Sequence, residues 1–266
     1  FALLGDYHFG EAPDALRVTH LLFNNVGAHG GGRAGERLFR IRLERVRKIA
    51  NLLELPLVDV NSNLDQFYGE GEFPLNHTLR NASVASLLQR GINRFLYASG
   101  YKFADIKIRT HDAIAYVEVA VLPLLSTPSL TMVSSGGEYS RVEKTLKVAE
   151  IPLSHKHLEV CVNAGHNGQP PNCGGCCKCV RTLFTLELAG LIDRYAQAFD
   201  LQAYERGKKQ FQKELLTSFD TYMLEIKELA QSRNYRFPSD IRRYAIRKRL
   251  AGYIVTALAK IRKLAG

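Results

Sequence analysis

The sequence predicts an α/β protein: a mostly parallel sheet with helices on its faces, then a cysteine-rich metal site and a helical tail. Three observations predict it. Over the first 150 residues, short apolar runs alternate with stretches of helical period. Four cysteines, Cys161, Cys173, Cys176 and Cys179, then cluster at ligand spacing. Past about residue 195 only helical periodicity remains.

Residues 17–25 (RVTHLLFNN) read as a buried strand, and 27–32 as the glycine-rich loop after it. Residues 35–54 place Leu38, Ile41, Val46, Ile49 and Leu53 close to helical period, with arginines on the other face. Residues 55–60 (LPLVDV) are a second strand. Residues 81–91 form a short helix closed by Gly91, a C-cap signal. Residues 94–99 (RFLYAS) are a third strand, ending in Ser99-Gly100, and 129–133 (SLTMV) a fourth, followed by a helix over 141–149. Helix resumes at Lys178. Residues from 201 to about 230, and 239–264, read as long helices, the second started by Ser239 or Asp240 as N-cap. The layout is therefore an α/β domain over 1–195, including the metal site at 161–179, and a basic helical extension over 196–266. In parallel sheets ligands bind beyond the carboxyl ends of the strands. That marks 27–32, Ser99-Gly100 and 134–140 as candidate site loops.

Composition narrows the classes. A hydrophobic fraction of 46% is ordinary for a globular chain and argues against disorder. The apolar run from Leu250 to Ala259 is too short to span a bilayer, and 113–125 is broken by Glu118 and Pro123. No membrane span and a cytoplasmic location are expected. Net charge is +10, and eight cations against Asp240 after Phe237 place +7 of it in the tail. An acidic partner, nucleic acid included, would meet the tail. Its apolar positions, Ile241, Ala245, Leu250, Ile254, Leu258 and Ile261, keep helical spacing and suit docking on the body, on a protein partner or on a second copy.

The cysteines follow C-x11-C-x2-C-x2-C. Thiolates in C-x-x-C pairs converge because the turn folds both sulfurs inward, and Gly174-Gly175 relaxes the backbone there. Zinc takes four such sulfurs tetrahedrally, as a closed structural site. An iron–sulfur cluster is the rival, since C-x2-C-x2-C serves those too. Cys177 is left over as a packed or exposed thiol. His155, His157 and His166 flank the cluster, but four cysteines already fill it.

Two segments carry a family resemblance. One runs from Cys161 to Arg181 through Asn172-Cys173-Gly174-x-Cys176-x-x-Cys179-x-Arg181. The other runs from Leu122 to Ala149, with Pro123-Leu124 and then Ser140-Arg141-Val142-Glu143-Lys144. Together they resemble 7-cyano-7-deazaguanine synthase and its relatives in the PP-loop ATP pyrophosphatase superfamily (a HUP-like fold), over about residues 1–190. The resemblance implies structural zinc and ATP with Mg2+. It implies adenylation of a small carboxylate, by family a 7-deazapurine acid, and its conversion to an amide or nitrile. Gly27 and His29 match the family's second-strand loop, and Ser99 and Gly100 its third. Arg141 stands where the family has lysine at the start of a Lys-x-Glu helix, and Lys144 lies one turn on. The family's Pro-Leu unit ends a strand. Relatives serve nucleic-acid or protein modification and antiviral defence.

Two departures matter. The family's Ser-Gly-Gly-x-Asp-Ser loop is absent from its expected place. Phe1-Ala2-Leu3-Leu4 looks like the start of the helix that follows it, so the resemblance puts the first strand and that loop upstream. The helical tail is the second departure. Ser135-Gly136-Gly137-Glu138-Tyr139-Ser140 mimics the loop between strand and helix, but Tyr139 replaces Asp, and a turn is the simpler reading. His111-Asp112 is a weak acid–base pair. No catalytic residue follows from spacing, because triads assemble in space. Two other functions compete: a tRNA sulfur-transfer enzyme of the same superfamily, and a non-catalytic zinc-containing scaffold.

Overall fold

The chain opens with helix α1 (Ala2–Tyr7) and then alternates strand and helix: β1 (Leu21–Asn25), α2 (Gly32–Leu52), β2 (Leu57–Asn61), α3 (Leu64–Tyr68), α4 (Phe73–Leu87), β3 (Arg94–Ala98), α5 (Glu118–Leu124), β4 (Thr131–Ser135) and α6 (Arg141–Ala149). A short α7 (Pro152–His157) leads into the cysteine segment. Helix α8 (Cys177–Leu188) leaves it, and α9 (Leu201–Thr217), α10 (Thr221–Ser232) and α11 (Ser239–Leu264) complete the chain. This computed structural model describes residues 1–266 apart from 11, 69–72, 109–112, 163–169 and 265–266, and the side chains of 252–264 are outside the described set. His111, Asp112 and His166 therefore lie outside the described residues, as do the side chains of Ile254, Leu258 and Ile261.

All four expected strands form, with shifted ends. β1 keeps only the apolar half of 17–25, because Arg17, Thr19 and His20 are exposed. α4 begins at Phe73 rather than 81. The added first turns carry polar residues that find partners: His77 Nδ1 lies 2.9 Å from the Tyr97 hydroxyl, and Arg80 donates to Asn76 Oδ1 at 2.7 Å. Pro123-Leu124 ends helix α5, not a strand; so short a helix has little ladder for a proline to interrupt. The helix read from 201 to 230 is two, α9 and α10. Asp220 breaks it by accepting from the Tyr222 N–H at 3.0 Å as the N-cap of α10.

Every ladder pair is parallel. Leu21 pairs with Leu57 through Asn25 with Asn61, and Arg94 with Thr131 through Ala98 with Ser135. Among the described residues this gives two two-stranded sheets rather than one. In a parallel ladder alternate residues bond to opposite sides. Leu21 N–H bonds Pro56 O and Ser62 N–H bonds Asn25 O, so Leu22 and Asn24 point their peptide groups away from β2. Thr131 N–H bonds Asn93 O and Ser99 N–H bonds Ser135 O, so Arg94, Leu96 and Ala98 point theirs away from β4. A cavity of about 790 Å³ touches both strands, lined by Leu21 and Leu22 of β1, Phe95 and Leu96 of β3, and Leu4 of α1. In this 266-residue chain the amides of Leu22 and Leu96 should exchange with deuterium at least tenfold faster than those of Phe23 and Tyr97. Equal protection of all of them would contradict this pairing.

The largest core cluster is built by α6, α8, α9 and α10: Val142, Cys179, Leu183, Phe184, Phe199, Tyr204, Phe211 and Ile226 belong to it. It continues through Tyr195 and Ala198, so the expected boundary at 195 falls inside it. Lys209 pairs with Asp240 at 2.7 Å, linking α9 to α11. Arg242, Arg243, Arg247 and Lys248 are exposed along α11. No helix among the described residues is long and apolar enough to cross a membrane.

Candidate metal centre and adjoining cationic corner

The thiol groups of Cys161, Cys173, Cys176 and Cys179 lie within 4.8 Å of one another and are positioned to hold a metal ion. The Cys176 sulfur is 3.9 Å from that of Cys161 and 3.4 Å from that of Cys179. Cys177 is exposed. Backbone geometry builds this site. Gly174 has φ +67°, and an added Cβ would overlap the Asp200 carbonyl oxygen and lie 2.9 Å from its carbon. Asn172, wholly buried, is the keystone. Its side-chain oxygen accepts from the Val160 and Cys161 N–H groups at 2.8 and 3.1 Å. Its amide nitrogen donates to the Leu158 and Ala198 carbonyls at 2.7 and 2.8 Å. From α2, Arg42 donates to Cys161 O at 2.8 Å and pairs with Glu159 at 3.1 Å. Burial opposes ionisation of Cys176, but backbone N–H donors of Val162 and Cys179 and the neighbouring thiols bring its pKa down to about 6, while burial and the Cys176 sulfur push Cys179 up, so Cys176 is the first of the two to ionise. His155 instead contacts Ala149 O at 2.9 Å and Tyr195 edge-on.

Beside this site, four of the expected ligand-binding residues meet. Ser99 and Gly100 follow β3, and Arg141 and Lys144 occupy the first turn of α6. Lys144, 7% exposed, donates to Ser99 O at 2.9 Å and Ser99 Oγ at 2.5 Å. Arg141 donates to Gly100 O at 3.0 Å. The buried Glu118 of α5 accepts from Gly100 N–H at 2.5 Å. Burial, then the Arg141 charge, lowers the Lys144 pKa to about 8, against attraction from Glu118. Burial raises Glu118, opposed by the Gly100 N–H and by Lys144.

The tail reaches into this corner. Glu225 of α10 accepts from the N–H groups of Arg141 and Val142 at 2.8 and 3.2 Å, and Tyr222 donates to Gly100 O at 3.1 Å. Ser140 and Glu143 form a reciprocal capping box, so Glu143 serves the helix start. The N–H groups of residues 140–143 are thus all engaged by side chains, so the start of α6 has none left for a phosphate.

Gly27 and His29 sit after β1. An added Cβ at Gly27, φ +96°, would lie 2.5 Å from the Arg80 guanidinium, which is buried and donates to Val26 O at 3.0 Å. His29 is 6% exposed, packed edge-on against Phe23 and Phe39 and 3.3 Å from Asn25 Oδ1. Burial, then the Arg42 charge, lowers its pKa to about 4. Between pH 4 and 6.5 the unfolded chain binds the extra proton, so this stabilisation is complete above 6.5 and lost as pH falls through 4. At most it amounts to roughly 3 kcal/mol. Melting temperature measured across this range should fall less in His29→Phe than in the unaltered protein; parallel curves would refute the assignment.

Glu118, Tyr222 and Glu225 were not legible as corner residues, because α5 supplies the first and the distant α10 the other two. Asn172 was visible only as a motif letter. No family model, curated protein or solved structure matches the chain.

Proposed function

We propose that the protein is an ATP-dependent carbon–nitrogen ligase of the PP-loop type, with zinc as a structural ion. The observation that carries the reading is the meeting of Ser99, Gly100, Arg141 and Lys144 in one corner beside the four-cysteine site. A carboxylate oxygen attacks the α-phosphorus of ATP, held with Mg2+, and the bond to the leaving pyrophosphate breaks. An amine then attacks the acyl carbon, loses its proton and displaces AMP. By resemblance the acid is a 7-deazapurine carboxylate and the product its amide, or a nitrile when the amide oxygen attacks a second ATP, releases pyrophosphate and then leaves with AMP as the nitrogen loses its two protons. Arg141 supplies fixed positive charge toward the phosphates, while Lys144 holds the end of β3 through Ser99. Gly27 and His29 enter this reading through the resemblance alone.

Zinc suits the thiols. A tetrahedral ion with metal–sulfur bonds of about 2.3 Å holds its sulfurs roughly 3.8 Å apart, and the four sulfurs here lie within 4.8 Å of one another, two pairs at 3.4 and 3.9 Å. A multi-iron cluster interposes several atoms and spreads its cysteines further. Four thiolates close the coordination sphere, which makes the ion structural.

The exposed Cys177, next to Lys178, gives the sulfur-transfer reading its foothold. A recruited role on nucleic acid or a protein is supported by the exposed cations of α11. The test is pyrophosphate release by the complete protein with ATP, Mg2+ and a 7-deazapurine acid. Release that depends on the acid supports the ligase. No release with the acid, and no ATP binding, would leave the scaffold reading in its place.

A further inference from the structure

We propose that Arg141, Lys178 and Arg181 form an oxyanion seat, floored by the ring of Tyr222, that takes a phosphate group. It deepens the ligase reading, which names ATP or pyrophosphate as the source; the seat itself rests on geometry alone. The guanidiniums of Arg181 and Arg141 lie over the Tyr222 ring at 4.3 and 5.4 Å from its centre. That ring is fixed. Its hydroxyl bonds Gly100 O, and it stacks on Tyr101 at 4.8 Å, which stacks on Tyr116 at 3.9 Å.

Two guanidiniums on one ring repel, and among the described residues neither has a carboxylate in ion-pair contact; nor has Lys178. The nearby acids are committed elsewhere. Glu225 takes backbone N–H groups of α6, Glu118 takes the Gly100 N–H, and Asp220 caps α10. Arg141 Nε is buried and finds no partner among the described residues. Lys178 is exposed and stands one helical turn before Arg181 on α8, so the two side chains are neighbours on one face of that helix. Lys178 lies in the first turn of α8, whose helix dipole adds positive potential, and Arg181 follows in the next turn. Paired guanidiniums present forked donors that match phosphate oxygens. Three positive charges suit a multiply charged phosphate better than a carboxylate.

Titration calorimetry with inorganic pyrophosphate, on protein of verified metal content, tests the seat. Loss of one charge-assisted contact should weaken binding about tenfold in Lys178→Gln and more in Arg181→Gln. Lys209→Gln, paired away from the seat, should bind as the unaltered protein does. Lys178 is exposed, so its variant remains informative if Arg181→Gln fails to fold. No pyrophosphate binding, or binding unchanged in Lys178→Gln, overturns the seat. Acetate binding as tightly as pyrophosphate overturns the phosphate assignment. Intact pyrophosphate binding without acid-dependent turnover leaves the seat standing and removes the ligase reading.

Discussion

Replacing Gly174 by alanine should destabilise the protein by about 3–5 kcal/mol and release the metal. Two effects add. The backbone at φ +67° is strained for any residue with a Cβ, and that Cβ would strike the Asp200 carbonyl. Asp200 has no room to retreat. Its N–H bonds Asn172 O at 3.0 Å, and its carboxylate accepts from the Ala203 N–H at 2.9 Å to start α9. Relief of the clash would therefore pull the Cys173 turn away from the other thiols. Thermal unfolding should drop by about 10 °C. Gly175→Ala is the control: its Cβ would meet only Cys173 O, at 3.9 Å, and should change little. Equal behaviour of the two variants would contradict this account of the turn.

Asn172→Ala should cost about 4 kcal/mol. It removes both halves of a buried clamp and strands the Val160 and Cys161 N–H groups and the Leu158 carbonyl, while Ala198 O keeps only the backbone N–H of residue 172 at 3.2 Å. Asn172→Asp keeps the acceptor but turns an anion toward two carbonyls, so it should rescue little. Chemical denaturation with metal analysis checks both. A loss below about 1 kcal/mol in Asn172→Ala would mean the clamp is not what holds Cys161 near Cys173.

These residues show what sequence reveals and what it withholds. Helix α6 was readable from its own residues over 141–149, and the structure adds the Ser140–Glu143 capping box that starts it. The metal site was readable because C-x-x-C spacing is itself geometry. The start of α4 was not, since His77 is satisfied by Tyr97 and Arg80 by Val26 O, both far away in sequence. The α9–α10 break had a signal in Asp220, which the surrounding helical period masked. The corner was half legible. Ser99, Gly100, Arg141 and Lys144 came from strand ends and a resemblance. Glu118, Tyr222 and Glu225 approach from other elements, and no spacing rule brings them there. The tail was set apart by charge and period, yet Tyr204, Phe211 and Ile226 pack into the core around α8.

On the proposed reading, Cys161, Cys173, Cys176 and Cys179 together hold one structural zinc ion beside this corner. Metal analysis of protein purified without oxygen tests it most directly. The account predicts a colourless protein with one zinc per chain and negligible iron. A brown protein carrying several irons per chain, or a stably folded one binding no metal, would contradict it.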